Sequence, residues 1–203
     1  MDEQLLNTPG LTDFTEPPAP EGESPYVAGA QPGRVVHVVE PDPDWPSLGA
    51  AVLERVRRAL GAADVHHVGS TAVPGLPAKP VIDVDLLVGD PGDEAAYVPA
   101  LEAAGFRLTV REPWWQQHRM LRGSDPAVNL HVFATGSPES ARHRLFRDWL
   151  REHPEDRDRY AAAKRAAAAA ATAAGEHVQQ YNARKEAVVR DIYARLFASI
   201  PQA

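Results

Sequence analysis

Residues His66–Val88 read HHVGSTAVPGLPAKPVIDVDLLV. A short apolar run, Val65 to Val68, ends at Gly69-Ser70. A loop broken by Pro74, Pro77 and Pro80 follows, and then a second run, Val81 to Val88, that holds Asp83 and Asp85. Both runs read as strands. A strand sends alternate side chains to opposite faces, so the two aspartates share one face and Val84 takes the other. Two carboxylates side by side repel unless something positive lies between them. A hard divalent cation such as magnesium, bound through oxygen, meets that need. An Asp-x-Asp pair also arises by chance, with one acid capping a turn and the other facing water. Val81, Ile82, Leu86, Leu87 and Val88 argue for an interior strand, where an acid needs a partner.

Gly69 and Ser70 sit where a strand opens into a turn. Glycine lets a ligand come close, and backbone amides with a serine hydroxyl suit a phosphate; an ordinary tight turn uses the same pair. Lys79 stands at the mouth of the aspartate strand and is placed either to neutralise a phosphate or to face water. Farther on, Asn129-Leu-His-Val-Phe133 is a strand with Asn129, His131 and Phe133 on one face. His131 could touch a metal, a phosphate or a nucleophile, or simply be hydrogen-bonded at a core edge. No zinc spacing, P-loop, dinucleotide fingerprint or nucleophile elbow occurs.

Outward from these strands, Arg34–Glu40 reads as a strand broken by Pro41, Pro43 and Pro46. Ser47 is suited to cap a helix over Leu48–Leu60, where Leu48, Val52, Val56 and Leu60 recur at helical spacing. Glu94–Ala104 reads as a helix ended by Gly105. Phe106–Val110, Trp115–Leu121 and Val128–Phe133 read as strands, with a turn at Gly123–Asp125. Helices follow from Pro138 to Arg151, through the alanine-rich Tyr160–Ala174, and from Val178 to Ile200, with Gly175 as an interruption. The chain therefore starts as α/β and ends as helices. Trp114, Trp115 and Trp149 default to core positions.

The 203 residues suit one domain of ordinary size. Residues 1–33 carry six prolines and no clear period, and read as an acidic, flexible arm, in which pieces such as Tyr26-Val27 are apolar enough to pack on the domain. Residues 34–136 form the expected α/β core and 137–203 a helical region packed on it. The formal charge is −7, and residues 1–30 hold six acids with no Lys or Arg, which leaves the body nearly neutral. That disfavours a polynucleotide partner. There are no cysteines, so disulfides and thiolate metal sites are excluded. No stretch reads as a membrane span, and the acidic start does not read as a signal peptide. The expectation is a cytoplasmic protein, monomeric or homodimeric.

The segment His67-Val-Gly-Ser-Thr-Ala-Val-Pro-Gly-Leu-Pro-Ala-Lys-Pro-Val-Ile-Asp83 closely resembles the GrpB family, also called UPF0157. Pro41–Pro46, Leu130-His-Val132, Leu145–Leu150, Tyr160–Lys164 and Tyr181–Lys185 resemble further elements of that family in order, so the likeness runs from about Val35 to about Phe197. The family resembles a branch of the nucleotidyltransferase superfamily that includes DNA polymerase beta. That likeness implies a mixed sheet flanked by helices with a helical C-terminal half. It also implies transfer of a nucleotidyl group from a nucleoside triphosphate to a small-molecule acceptor. Gly69 and Ser70 would hold phosphates, and Asp83 and Asp85 would hold magnesium. The superfamily's third carboxylate is missing from the later strand, where His131 stands instead, and Asn129 replaces a histidine common in the family. His131 is thus the candidate base, and Lys79, Arg119, Lys164 and Lys185 are candidate partners for phosphate; a solvated surface position reads equally well for each of the four. A nucleotide- or CoA-related binding module without transfer, or a ligase or phosphotransferase reusing the pocket, remain alternatives.

Overall fold

The structure is a computed structural model that describes residues 2–27, 29–31 and 37–200. In chain order the elements are α1 (Glu3–Leu6), α2 (Trp45–Leu60), β1 (Asp64–Val68), β2 (Ile82–Val88), α3 (Val98–Ala103), β3 (Phe106–Glu112), β4 (His118–Ser124), β5 (Ala127–Ala134), α4 (Pro138–Glu152), α5 (Pro154–Ala174) and α6 (Val178–Ala198). The five strands form one sheet in the order β1-β2-β5-β4-β3. Only β2 and β5 run parallel; the other neighbours are antiparallel. This is the expected α/β architecture: a mixed sheet with helices on its faces and a helical C-terminal half.

Alternation along β2 and β5 decides what lies where. Val84, Leu86, Leu130 and Val132 point to one face and are buried against Val52 and Val56 of α2 and Leu101 of α3. Asp83, Asp85, Asn129 and His131 point to the other, and the register sets Asp83 beside Asn129 and Asp85 beside His131. A second core joins Leu145, Trp149, Tyr160, Ile192 and Leu196 of α4 to α6 with Val73 and Leu76 from the proline loop. The polar strand face therefore looks toward the C-terminal helices, and the cleft opens between them.

Several local expectations shift. The α2 helix starts at Trp45, with Asp44 at its N-cap and Pro46 in its first turn. Proline presets the helical φ there, and Ser47, inside that turn, donates its hydroxyl back to the Asp44 carbonyl at 2.8 Å. The Glu94–Ala104 stretch divides into a 3-10 turn over Glu94–Ala96 and the short α3, which has Pro99 in its first turn. Trp115 lies in the turn before β4 rather than in a strand, and its amide bonds back to the Glu112 carbonyl. Of the strand expected over Arg34–Glu40, residues 34–36 lie outside the described residues; Val39 forms a single bridge to Ala78. Among the described residues no helix is long and apolar enough to cross a membrane.

The N-terminal arm, read from sequence as flexible, docks on the body over much of its described length. Leu11 is buried in the helical core. The guanidinium groups of Arg142 and Arg190 lie over the Phe14 ring, at 4.9 and 4.2 Å from its centre. Tyr26 bridges to Val110, so the arm also touches the sheet edge. The contact that holds it is one that composition does not reveal. Buried Arg142 donates to the carbonyls of Gly10, Leu11 and Asp13 while paired with Glu139. Hydrogen bonds from a charged donor contribute roughly 1.5–3 kcal/mol. Arg142→Ala should therefore speed thermolysin cleavage within the arm by roughly tenfold or more, because such cleavage follows the population of the open form. Intact-mass analysis of the fragments checks this; an unchanged cleavage rate would show that Arg142 does not anchor the arm.

Candidate active site

Gly69 ends β1 at φ 68°, a conformation that glycine adopts without a side-chain penalty. Its neighbour imposes a second requirement: a Cβ on Gly69 would stand 2.5 Å from an Asp83 carboxylate oxygen. The tight turn therefore lets the first aspartate and the Gly69-Ser70 backbone lie side by side. Together they line a cleft of about 330 Å³. Lys79 and His131 reach it from the sheet side, and Lys164 and Lys185 from α5 and α6. Seven of the nine residues singled out from sequence thus meet in one place.

The other two do not line it. Arg119 pairs in register with Val132 and so projects from the opposite face of the sheet. There it is buried and held by Glu94 at 2.6 Å, with Arg111 on the same carboxylate. Asp85 shares the face of Asp83 but is fully buried. Its two oxygens lie 3.2 and 3.1 Å from Nδ1 of His143, which α4 brings down over it. The other nitrogen of His143 faces Glu139 at 3.4 Å. Burial disfavours the charged ring, but Asp85 and then Glu139 outweigh it and hold His143 well above its ordinary value of 6.5. The same imidazolium, with Arg142, overcomes burial at Glu139 and draws that carboxyl down to about 2. The positive neighbour that Asp85 has in this arrangement is the His143 ring.

Asp83 faces the cleft. Burial pushes its carboxyl up, but His131, Asn129 and Lys79 outweigh that and leave it below the ordinary carboxylate range. The Asn129 amide donates to it at 2.9 Å. Magnesium is commonly held by one or two carboxylates together with substrate phosphates. Asp83 fits that role. Asp85 does not while His143 covers it, and no group of three or more acidic or histidine side chains is arranged for a metal among the described residues.

Opposite Asp83 stand three amines. Lys79 lies 5.7 Å from the centre of the Tyr181 ring, Lys164 lies 5.2 Å from that of Tyr160, and Lys185 lies within 5.7 Å of both. Among the described residues none of the three is within ion-pair distance of a carboxylate. Lys164 is only 2% exposed. Burial, reinforced by Lys185, pulls its ammonium down to about 7. Burial also lowers Lys79, with Asp83 opposing. Excess positive charge held out of water in a cleft is chemistry that favours an anionic ligand.

A histidine chain flanks the cleft and was not read from sequence. Glu112 Oε2 lies 2.7 Å from Nδ1 of His118, and Nε2 of His118 lies 3.0 Å from Nδ1 of His131. His131 then presents Nε2 toward Asp83, 3.9 Å away. His118 is buried, and burial holds it neutral at about 4 despite Glu112. Its ring stacks on Phe133 and meets the edge of Trp115. In the sequence His118 begins β4 after an irregular turn, so no spacing pattern links it to His131.

Fold and cleft together define an α/β protein with a lysine-lined pocket between a mixed sheet and a helical half. The comparison with protein families agrees in a more specific way: residues 35–195 match the GrpB protein family, and the chain belongs to it. A UPF0157 protein of Halalkalibacterium halodurans is 46% identical over 166 residues, covering 81% of this chain and 84% of its own. A longer protein from Mycolicibacterium paratuberculosis, named dephospho-CoA kinase, is 34% identical over 188 residues, which cover 79% of this chain and 46% of that protein. The crystal structure of the conserved protein GrpB from Enterococcus faecalis matches with a TM-score of 0.67 at 25% identity, over 80% of this chain and 98% of that one.

Proposed function

We propose that the cleft binds a nucleoside triphosphate through its phosphates and transfers the nucleotidyl group to a small-molecule acceptor. The observation that carries this reading is the convergence of Lys79, Lys164 and Lys185 on a pocket that also contains Ser70 and Asp83. The three ammonium groups neutralise the phosphates, and Ser70 offers a hydroxyl donor to them. Asp83 would hold magnesium, which when bound stabilises the charge developing on the phosphate oxygens. His131, on the same wall, takes the acceptor's proton. The neighbouring cavity of about 570 Å³ shares Gly69, Ser70, His143 and Lys185 with the cleft and has room for the rest of the ligands.

A second reading is a nucleotide- or CoA-related binding module without transfer. It draws on Asp83 being the one carboxylate among the described residues that line this cleft: Asp85 is occupied by His143, and β5 supplies Asn129 and His131 in place of a third acid. A ligase or phosphotransferase reusing the pocket is the remaining alternative. Incubation with ATP, magnesium and a small-metabolite extract separates them. Nucleotidyl transfer releases pyrophosphate and leaves AMP on an acceptor. Binding with no turnover favours the module, and release of ADP or phosphate favours the third reading.

A further inference from the structure

In-line displacement at phosphorus sets the attacking atom opposite the leaving group. In the proposed reaction the leaving pyrophosphate lies at Gly69-Ser70, where β1 ends, and the α-phosphate lies beside Asp83 on β2. The acceptor must then approach from the far side of Asp83. The sheet continues that line from β2 to β5, β4 and β3, in steps of about 4.8 Å. Register and alternation put Met120, His118 and Arg122 of β4, then Val110 and Glu112 of β3, on the face of Asp83. A cavity of about 500 Å³ lies over this outer part of the sheet and shares Lys79, Val81, Asn129 and Asn182 with the cleft.

Buried Val110 and Met120 give this groove an apolar floor. The arm closes its outer side: Tyr26 bridges to Val110 at the sheet edge, and its hydroxyl accepts from the Gln179 amide of α6 at 3.2 Å. Glu112 stands at one end. Its neighbour at 2.7 Å is His118, which burial keeps neutral, and among the described residues no lysine or arginine is within ion-pair distance of it. Arg122 also lines the groove, but in register with Asn129, four residues along β4 from His118 and so toward the other end. Lys79 faces the phosphate cleft. A carboxylate that faces a cavity without a cation calls for one from the ligand. We propose that this groove is the acceptor site, and that Glu112 selects an acceptor carrying a protonated amine as well as the hydroxyl that reacts. This rests on the transfer reading above. An ammonium has no lone pair, so it is held by Glu112 while the hydroxyl attacks. The rings of His118 and His131 stand between Glu112 and Asp83, so the amine and the hydroxyl lie several bonds apart. The hydroxyl oxygen bonds to the α-phosphorus. The bond from that phosphorus to the bridging oxygen breaks, its electron pair leaves on pyrophosphate, and the hydroxyl proton passes to His131.

The chain has no cysteine, so one introduced thiol reports on the groove alone. Full-length Met120→Cys is treated with two methanethiosulfonates of equal size, one carrying a 2-ammonioethyl group and one a propyl group. Intact mass gives each rate relative to 2-mercaptoethanol, and Val110→Cys repeats the measurement where Met120→Cys folds poorly. Both reagents should reach the thiol, and the ammonium reagent should be favoured by roughly threefold or more, the worth of one partly exposed charge pair. Salt at about 0.15 M screens the net charge of the rest of the chain. Adding Glu112→Gln removes the charge with little change of volume and keeps an acceptor for His118, so it should abolish the preference. The fully modified protein should still bind a non-hydrolysable ATP analogue as the unmodified protein does, because the groove lies beyond the phosphates. The proposal is overturned by a thiol that neither reagent reaches, by equal rates or a preference for propyl, by a preference that Glu112→Gln leaves intact, or by loss of the analogue on modification. Failure of the unmodified protein to bind the analogue refutes the transfer reading instead, and the reagent rates still decide whether Glu112 makes the groove a site for cations.

Discussion

Lys164→Met is expected to make the protein more stable and a weaker binder of phosphate. Lys164 is buried without an acidic partner at ion-pair distance, and burial draws its ammonium from 10.5 to about 7. An amine whose value is lowered by folding binds its proton more tightly in the unfolded chain. The penalty is therefore complete below about pH 7, and it is relieved as pH rises toward the unfolded value of roughly 10.4. The shift corresponds to a penalty on the order of 4 kcal/mol. Methionine fills similar space without charge, so melting at pH 6 should rise by roughly 10 °C. The gap between the two proteins should shrink between pH 7 and 10. Pyrophosphate affinity should fall by roughly 10- to 150-fold, the loss of one hydrogen bond from a charged donor. Calorimetry in buffers of different ionisation enthalpy adds a sharper mark. At pH 8, pyrophosphate binding to the wild type should take up as much as about one proton per site, because the anion restores the ammonium. The methionine variant should lack that uptake. Tight pyrophosphate binding by the variant, with the same proton uptake, would remove Lys164 from the site.

The second large effect is at Asp85. Seen only as one of two adjacent acids, Asp85→Asn should relieve repulsion and stabilise the fold. The buried contact with His143 reverses the sign. Removing one partner of a buried ion pair strands the other, at a cost of about 3–5 kcal/mol. Melting should drop by roughly 6–20 °C. The pH dependence follows from His143, whose value in the folded protein is raised. Its contribution is fully present below the unfolded value of roughly 6.5 and is lost as pH rises through the higher folded value. The wild-type advantage over Asp85→Asn should thus be greatest in acid and narrow in alkali. Melting curves from pH 5 to 10 check both points; equal stability at pH 5 would contradict the pairing.

The comparison between Asp83 and Asp85 shows how far sequence reasoning reached. Period two placed both acids on one strand face, and the glycine turn marked where a ligand can approach; both follow from local geometry. The partner of Asp85 could not be read that way, because His143 arrives from α4 through the packing of the helical half. Arg119 shows the opposite error. With His118 and Met120 on the cleft face, alternation sends Arg119 to the other side, but the strand's start after the Trp115 turn was not visible, and Glu94 lies in a 3-10 turn read as helix. From sequence Lys164 read equally as a phosphate partner and as a solvated charge in an alanine-rich helix. It is buried because α5 and α6 lie side by side, with Tyr160 and Tyr181 beside the lysines. The arm is a similar case: six prolines leave it little regular structure beyond the short α1 but do not prevent docking, and Leu11 and Phe14 provide apolar contacts that charge counts conceal.

The most direct test of a phosphate-binding cleft centred on Asp83 is calorimetric titration with a non-hydrolysable ATP analogue, with and without magnesium, on the wild type and Asp83→Asn. The expected result is saturable binding by the wild type that weakens by roughly tenfold or more when magnesium is withdrawn, about the contribution of one charged contact. In Asp83→Asn the magnesium effect should disappear, while binding without magnesium stays equal or improves because a carboxylate no longer faces the phosphates. No saturable binding, or binding that responds to magnesium equally in both proteins, would contradict the account.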